Sequence, residues 1–296
     1  MTYALTGATL IDGTGREPIK DAAIIIEGSR IVNIGRAGQV EMPKDCTILD
    51  MQGRTLLPGL IDAELHIIGA RDPDYLKRII DPAPLTAIRS SVEALSLLRA
   101  GFTAVRDLAS KTTVCLKRAI EEGTIQGPRI MSAGRAISQT NGPADIPNIP
   151  KEWLNATWFG RVADGVEECR KAAREEIREG ADLIKIFTTG GSMRKGDEPT
   201  RLVYTKEELE AIIFEARRSK MKVAAHTIGS EGIMQAIEVG VDTVEHGWLM
   251  DKDAALNLAK TNTILIPTLA VVYVQSTETR FYARHVVESA KARFNR

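Results

Sequence analysis

Residues 177–187 read Ile-Arg-Glu-Gly-Ala-Asp-Leu-Ile-Lys-Ile-Phe, and this stretch decides the fold. A helical pattern ends at Gly180, because a residue without a Cβ suits the left-handed conformation at which many helices end. A run rich in β-branched and aromatic residues follows, as expected of a buried strand. The stretch therefore predicts a helix that leads directly into a strand.

The same succession of helix, glycine and strand recurs elsewhere in the chain. Gly101 ends a helical pattern before a predicted strand at 103–106. Gly123 does the same before 129–132, and Gly240 before 243–246. Strands that alternate with helices of this kind indicate βαβ units and a parallel sheet. A helix start is marked by Thr205-Lys206-Glu207-Glu208, which has the pattern of a capping box.

Seven strands are predicted in this alternating region. They cover residues 57–66, 103–108, 129–133, 182–188, 222–227, 242–247 and 263–269. The prediction is an α/β protein with a (β/α)8-type TIM barrel that lacks strand eight. A doubly wound sheet is the competing fold. The barrel is favoured because no strand leads into a G-x-G-x-x-G turn and because polar residues lie at the ends of many strands.

Residues 1–56 have a different pattern, in which short strands are joined by turns. The apolar runs 22–27 and 31–35 flank the turn Gly28-Ser29-Arg30 and predict a hairpin. A segment of this size builds little core by itself. We therefore predict a small N-terminal β-sandwich-like module over residues 1–56 and a barrel over residues 57–296.

Composition excludes several classes of partner. Lys+Arg and Asp+Glu both total 39, so no charge excess favours nucleic acid. No apolar run approaches the roughly 20 residues of a membrane-spanning helix, and residues 1–15 lack the pattern of a secretory signal. The three cysteines are far apart in sequence, which is typical of free thiols in a reducing compartment. A cytoplasmic protein without membrane or nucleic-acid partners is expected.

Histidines mark the ends of three predicted strands: His66, His226 and His246. The carboxyl ends of barrel strands form the mouth where active sites are built. Glu64 lies two residues before His66, so both side chains point the same way from a strand. A single histidine at a barrel rim is often only a hydrogen-bonded polar residue. Three histidines with a glutamate favour a site for one or two divalent metal ions, with zinc the first candidate.

Lys185 lies in the middle of a predicted strand whose two faces are both expected to be buried. Lysine is almost never buried unless it is paired. One interpretation is an ion pair with a nearby carboxylate. The other is carboxylation of the amine by CO2, which yields an anionic carbamate that can bridge two metal ions and removes a costly buried cation.

Taken in order, these motifs resemble those of a known family. They are Leu57-Pro58-Gly59-Leu60-Ile61-Asp62-Ala63-x-x-His66, Thr103-Ala104-Val105-Arg106-Asp107, Lys185-Ile186-Phe187-Thr188-Thr189-Gly190-Gly191, Ala225-His226-Thr227 and Val244-Glu245-His246-Gly247. The chain resembles the amidohydrolase superfamily, close to its imidazolonepropionase-like and Xaa-Pro dipeptidase-like branch. The resemblance covers nearly the whole chain.

The resemblance implies a metal-dependent hydrolase in which an activated water attacks the carbonyl of an amide or cyclic amide. It implies that a carboxylated Lys185 bridges two metals, that His226 and His246 bind one of them, and that His66 binds the other. Tyr204 resembles a family tyrosine that polarises the substrate carbonyl, although an aromatic that only flanks a helix is an equal alternative. Dipeptides, N-acyl amino acids or lactam-like rings are the implied small-molecule substrates.

Two positions depart from the family pattern. Glu64 stands where the family has its first strand-one histidine. No candidate for the strand-eight aspartate, which acts as a base in the family, follows 266–268. A truncated gene, a naturally shortened protein and a second chain that supplies the missing part are the open explanations. The missing aspartate predicts weak or no activity for this chain alone, with a non-catalytic binding or partner protein as the alternative. The open strand edges predict a homo-oligomer.

Overall fold

The computed structural model describes residues 1–69, 71, 80–147, 149–157, 159–193, 197–278, 282 and 284–294. Two compact units are present, Met1–Leu60 and Ile61–Arg296. None of the described helices is both long enough and apolar enough to cross a membrane.

The N-terminal unit is a mixed five-stranded sheet. Its strands are β1 (Thr2–Leu10), β2 (Ile19–Glu27), β3 (Arg30–Arg36), β4 (Thr47–Asp50) and β5 (Thr55–Leu56). The order is β3-β2-β1-β4, with β5 also paired to β1. The predicted hairpin is present, because β2 and β3 pair antiparallel around the turn at Gly28. Ala23 and Ile25 are buried in one cluster and Ala22 and Ile24 in another, as side chains alternate along β2. The sandwich-like arrangement stays a prediction.

The second unit alternates strands with helices. Its first part contains β6 (Leu60–Leu65), α1 (Ala83–Arg99), β7 (Phe102–Asp107), α2 (Lys111–Glu121), β8 (Arg129–Ser132), β9 (Ala136–Ser138), α3 (Lys151–Ala156), β10 (Gly160–Val162) and α4 (Gly165–Glu179). Its second part contains β11 (Leu183–Phe187), α5 (Lys206–Arg218), β12 (Lys222–Gly229), α6 (Ser230–Val239), β13 (Thr243–Leu249), α7 (Lys252–Leu258), β14 (Ile264–Ile266), α8 (Leu269–Thr277) and α9 (Arg284–Phe294).

All seven predicted strands of this region are present, as β6, β7, β8, β11, β12, β13 and β14. These seven strands lie in two sheets together with β9 and β10. One sheet has the order β6-β7-β8 and the other β10-β9-β11-β12-β13-β14. Each strand pair of this unit for which a register is described is parallel. The short strands β9 and β10 were not predicted. Among the described residues no strand follows β14, in line with the seven that the sequence indicates.

The helix ends follow the sequence signals. Gly180 ends α4 with φ 98°, a left-handed conformation that strains any residue with a Cβ. The capping box at the start of α5 is formed, with the Thr205 hydroxyl accepting from the backbone N–H of Glu208. These boundaries set where each strand begins and therefore which residues reach its carboxyl end.

The largest core cluster lies between the second sheet and its helices. Ile184 and Ile186 of β11 belong to it together with Ile212 of α5, and all three are fully buried. Burial of each such side chain is worth about 1.5–3 kcal/mol. Leu183, on the opposite face of β11, packs instead with Ala224 in a separate cluster. Lys185 lies between Ile184 and Ile186 in the sequence of β11. Because side chains alternate along a strand, Lys185 is on the same face of β11 as Leu183, away from the helices.

Candidate metal centre

Glu64 and His66 lie at the carboxyl end of β6. Glu64 Oε1 is 3.5 Å from Nε2 of His66 and 3.7 Å from Nζ of Lys185. Only 9% of the Glu64 side chain is exposed, against 39% of His66. Burial alone would raise the pKa of the Glu64 carboxyl, but the nearby His66 and Lys185 outweigh it, and the net pKa is lowered. Glu64 is therefore an anion. Its ion-pair contact with Lys185 links β6 to β11.

Lys185 is buried without a hydrogen-bond partner. The residue is 2% exposed, and its Nζ is among the few buried side-chain atoms of the described residues that form no hydrogen bond. The 3.7 Å separation from Glu64 is an ion-pair distance but too long for a hydrogen bond. Burial lowers the pKa of the Lys185 ammonium, because water no longer solvates the charge. A buried amine of this kind is an unsatisfied group that calls for a further partner.

His226 is a neutral imidazole of defined tautomer. Its Nε2 lies 3.0 Å from the carbonyl oxygen of Gly190, which can only accept, so Nε2 carries the proton and the lone pair is on Nδ1. Burial and the charge of Lys185 lower the pKa of His226 to about 3. A Cβ on Gly190 would lie 2.2 Å from the carbonyl oxygen of Glu198, so only glycine allows this loop to reach the histidine.

His246 lies between two other rings. Its centroid is 4.6 Å from that of His226 and 4.6 Å from the ring of Trp248. Its Nδ1 is 2.7 Å from the hydroxyl oxygen of Thr268. The backbone of His246 has φ 78°, a conformation that costs a non-glycine residue on the order of 1–3 kcal/mol and is found mainly at functional sites.

A buried ion pair crosses the interior beside these residues. Arg106 on β7 donates from Nη2 to both carboxylate oxygens of Glu245 on β13, from Nη1 to Thr243, and from Nε to the carbonyl of Ala63. Ala63 precedes Glu64 and Glu245 precedes His246, so one guanidinium holds two of the strands that carry the predicted ligands. Neither Arg106 nor Glu245 has a role predicted from the sequence, although charged residues in the middle of buried strands are a detectable signal.

Tyr204 is not brought together with the other five predicted site residues by any contact that the structure describes. It is 2% exposed, and its hydroxyl donates to the carbonyl of Ala163 at 2.9 Å. Burial and the neighbouring Cys169 hold the pKa of the phenol well above its usual value. Its catalytic role stays a prediction, and it would require the bond to Ala163 to break.

The described residues contain no ready-made cluster of three or more His, Cys, Asp or Glu side chains spaced to hold a metal ion. The donor set nevertheless has the chemistry of a divalent-metal site. Glu64, His66, His226 and His246 are ordinary ligands for zinc or manganese, and contacts link Glu64 to His66 and His226 to His246. The Nζ of Lys185, which has no hydrogen-bond partner among the described residues, is the observation that fits an additional bound group beside Glu64.

Parallel strands flanked by helices carry carboxylate and imidazole groups near their carboxyl ends and the amine of Lys185 within β11. A family model described as "Amidohydrolase family" matches residues 55–289. The chain belongs to the amidohydrolase family, whose fold is of the TIM-barrel type, and this confirms the resemblance drawn from the motifs. Members of this superfamily generally use divalent metal ions.

Three relatives illustrate the range of the family. Ochratoxinase of Aspergillus niger is 33% identical over 283 residues, which are 90% of this chain and 58% of that protein. A crystal structure of a prolidase complexed with N-methylphosphonate-L-proline is 31% identical with a TM-score of 0.88, over 99% of this chain and 72% of that one. Imidazolonepropionase of Rhizobium rhizogenes is 24% identical, over 85% of this chain and 65% of that protein. The chain spans 58% of the length of the first curated relatives that it matches.

Proposed function

We propose that this chain binds divalent metal through Glu64, His66, Lys185, His226 and His246 and acts as a hydrolase of amide or cyclic-amide C–N bonds. The observation that carries the proposal is the buried amine of Lys185, which lies at ion-pair distance from Glu64 but has no hydrogen-bond partner among the described residues. Zinc is the expected ion, with one or two bound. A cytoplasmic location and a homo-oligomer also stay predictions.

Lys185 supports the proposal through its chemistry. A lowered pKa favours the neutral amine, which can add to CO2 and release one proton to give a carbamate. The carbamate replaces a buried amine by an anionic oxygen ligand. Glu64, 3.7 Å away, is the only residue described within ion-pair distance of Nζ, so a carbamate on Lys185 and the Glu64 carboxylate would be neighbouring candidates to hold a divalent metal ion.

The remaining ligands are prepared for binding by their neighbours. Gly190 keeps the His226 lone pair on Nδ1, and Arg106 holds the backbone next to Glu64 and the side chain next to His246. A divalent metal bound here supplies Lewis-acid chemistry, because it lowers the pKa of a coordinated water and polarises a carbonyl. The chain's own contribution is to orient the ligands and to bury them from bulk water.

The substrate class is proposed from the relatives. The names ochratoxinase, prolidase and imidazolonepropionase all indicate enzymes that act on small molecules. Dipeptides, above all those that contain proline, N-acyl amino acids and lactam-like rings are therefore the first compounds to test.

The test begins with metal. The chain is produced with zinc or manganese and ¹³C-bicarbonate, and bound metal is measured by plasma mass spectrometry and the carbamate by ¹³C NMR. We expect about one to two ions per chain, a carbamate signal, and loss of both in K185M. The control is K222M, because Lys222 has a side chain that is 72% exposed. Equal metal content in K185M and wild type would contradict the site, and absence of metal-dependent cleavage across the substrate panel would contradict the reaction.

A further inference from the structure

The segment after β14 contacts two side chains of β13. The hydroxyl oxygen of Thr268 lies 2.7 Å from Nδ1 of His246, and the indole N–H of Trp248 donates to the carbonyl of Pro267 at 2.9 Å. The consecutive residues Pro267 and Thr268 are thus hydrogen-bonded to the neighbouring rings of Trp248 and His246. The imidazole of His246 is constrained through Nδ1 as well as by the rings on either side of it.

Both partners of the Thr268–His246 contact have unusual backbone. Thr268 has φ 45° and His246 has φ 78°. Positive φ is uncommon for any residue with a Cβ and is an outlier for a β-branched one. Thr268 precedes α8, where a threonine hydroxyl commonly caps the helix, yet it forms no cap bond there. The conformation instead directs the hydroxyl to the histidine.

We propose that Thr268 is a positioning residue for His246: its hydroxyl oxygen accepts the Nδ1 proton and keeps the ring lone pair on Nε2. The inference rests on the metal-binding function proposed above, to which it adds a tautomer and the residue that sets it. Imidazole binds a metal through its unprotonated nitrogen, and a hydrogen bond at the other nitrogen decides which one that is.

The two histidines are then set in opposite tautomers. His226 is protonated on Nε2 by its bond to Gly190 and offers Nδ1. His246, protonated on Nδ1, offers Nε2. With the two ring centroids 4.6 Å apart, the two hydrogen-bond partners select which nitrogen of each ring is available to a shared ion.

The tautomer can be measured without metal. Long-range ¹H–¹⁵N correlation spectra of the ¹⁵N-histidine-labelled, metal-free protein report the protonated nitrogen of each ring, and the chain has only four histidines. Loss of signals in H246Q assigns His246. We expect the Nδ1–H form in wild type and T268S, and loss of that preference in T268V and T268G. The matched control is T277V, which removes an exposed hydroxyl of the same helix that donates to the carbonyls of Tyr273 and Val274.

Zinc affinity is measured on the same variants by competition with a chromophoric chelator. Loss of a hydrogen bond to a ligating histidine typically weakens metal binding about 10–100-fold, so we expect this loss in T268V and near wild-type affinity in T268S. T268G separates strain from hydrogen bonding, because glycine accepts the left-handed backbone but has no hydroxyl.

The outcomes are distinct. An Nε2–H form of His246 in wild type, or the same spectrum in T268V as in wild type, overturns the proposal. A chain that binds no zinc but has an Nδ1–H form that depends on Thr268 upholds the positioning contact, and only the metal-binding function then fails.

Discussion

Nη2 of Arg106 lies 2.9 Å from each carboxylate oxygen of Glu245, so an arginine of β7 and a glutamate of β13 share a bidentate bond inside the unit. The Glu245 side chain is fully buried and that of Arg106 is 14% exposed. Removal of Arg106 deprives the buried Glu245 carboxylate of its guanidinium partner.

R106M is therefore expected to destabilise the chain by about 3–5 kcal/mol, the usual cost of a broken buried pair. Urea denaturation followed by circular dichroism measures this loss. R106M/E245M should recover part of it, since no uncompensated charge remains. R118M is the control, because Arg118 and Glu122 form an exposed pair and little change is expected. An R106M protein as stable as wild type would mean that Glu245 finds another partner.

The Glu64–Lys185 pair should reduce the stability of the metal-free protein. A buried carboxylate and a buried amine 3.7 Å apart without a hydrogen bond recover little of their desolvation cost. We expect E64Q/K185M to unfold at a higher temperature than wild type without metal, and to bind no zinc. Calorimetry on the metal-free proteins measures the first and dialysis the second. A lower transition temperature in the double variant would contradict the idea that the site is maintained at a cost in stability.

Y204F tests the assignment of Tyr204. The hydroxyl already donates to Ala163, so its removal is expected to cost about 0.5–1.5 kcal/mol of stability. Metal content should be unchanged, and turnover of any substrate found should fall less than about tenfold, or less than about 1.4 kcal/mol in the barrier. A much larger fall in kcat at unchanged stability would instead support a hydroxyl that polarises the substrate carbonyl.

Asp242 should give the fold an acid-sensitive contribution. Burial alone would raise the pKa of this carboxyl, but bonds from Lys222, the backbone of Val223 and Arg217 outweigh it and bring the pKa below 3.8. A carboxyl whose pKa is lower in the folded than in the unfolded protein stabilises the fold at any pH above its unfolded-state pKa. This stabilisation is lost as the pH falls through its folded-state pKa.

The difference in unfolding free energy between wild type and D242N is therefore expected to be constant near neutral pH. It should shrink below about pH 4, as Asp242 takes up its proton in the unfolded chain first. Thermal melts across this range measure it. A difference that stays constant into strong acid would mean that the three contacts do not favour the ionised form.

Local signals were sufficient for most of the fold. Each helix-ending glycine and each buried apolar run depends only on neighbours in sequence, which is why all seven strands were predicted. The strands β9 and β10, of three residues each, were not predicted. Lys185 could be selected from sequence, since a lysine in a strand buried on both faces is itself an anomaly.

The contacts that orient the site could not be predicted in the same way. Thr268 is an unremarkable residue in sequence, and only the pairing of β13 with β14 brings it to His246. Arg106 and Glu245 are each anomalous in a buried strand, but their pairing depends on how the interior closes around them. The position of Tyr204 likewise depends on where its hydroxyl finds an acceptor.

The ion pair between Arg106 and Glu245 also has a consequence for how the protein folds. It joins residues 139 positions apart in the chain, and the βα units between them must be in place before it can form. Contacts of such long sequence separation carry a large loop-closure cost and form late on a folding pathway. We therefore expect β6 and β13, the two strands that this pair connects, to be fixed in place late in folding. Were the predicted site to form on them, binding of a metal ion would indicate that the chain had finished folding.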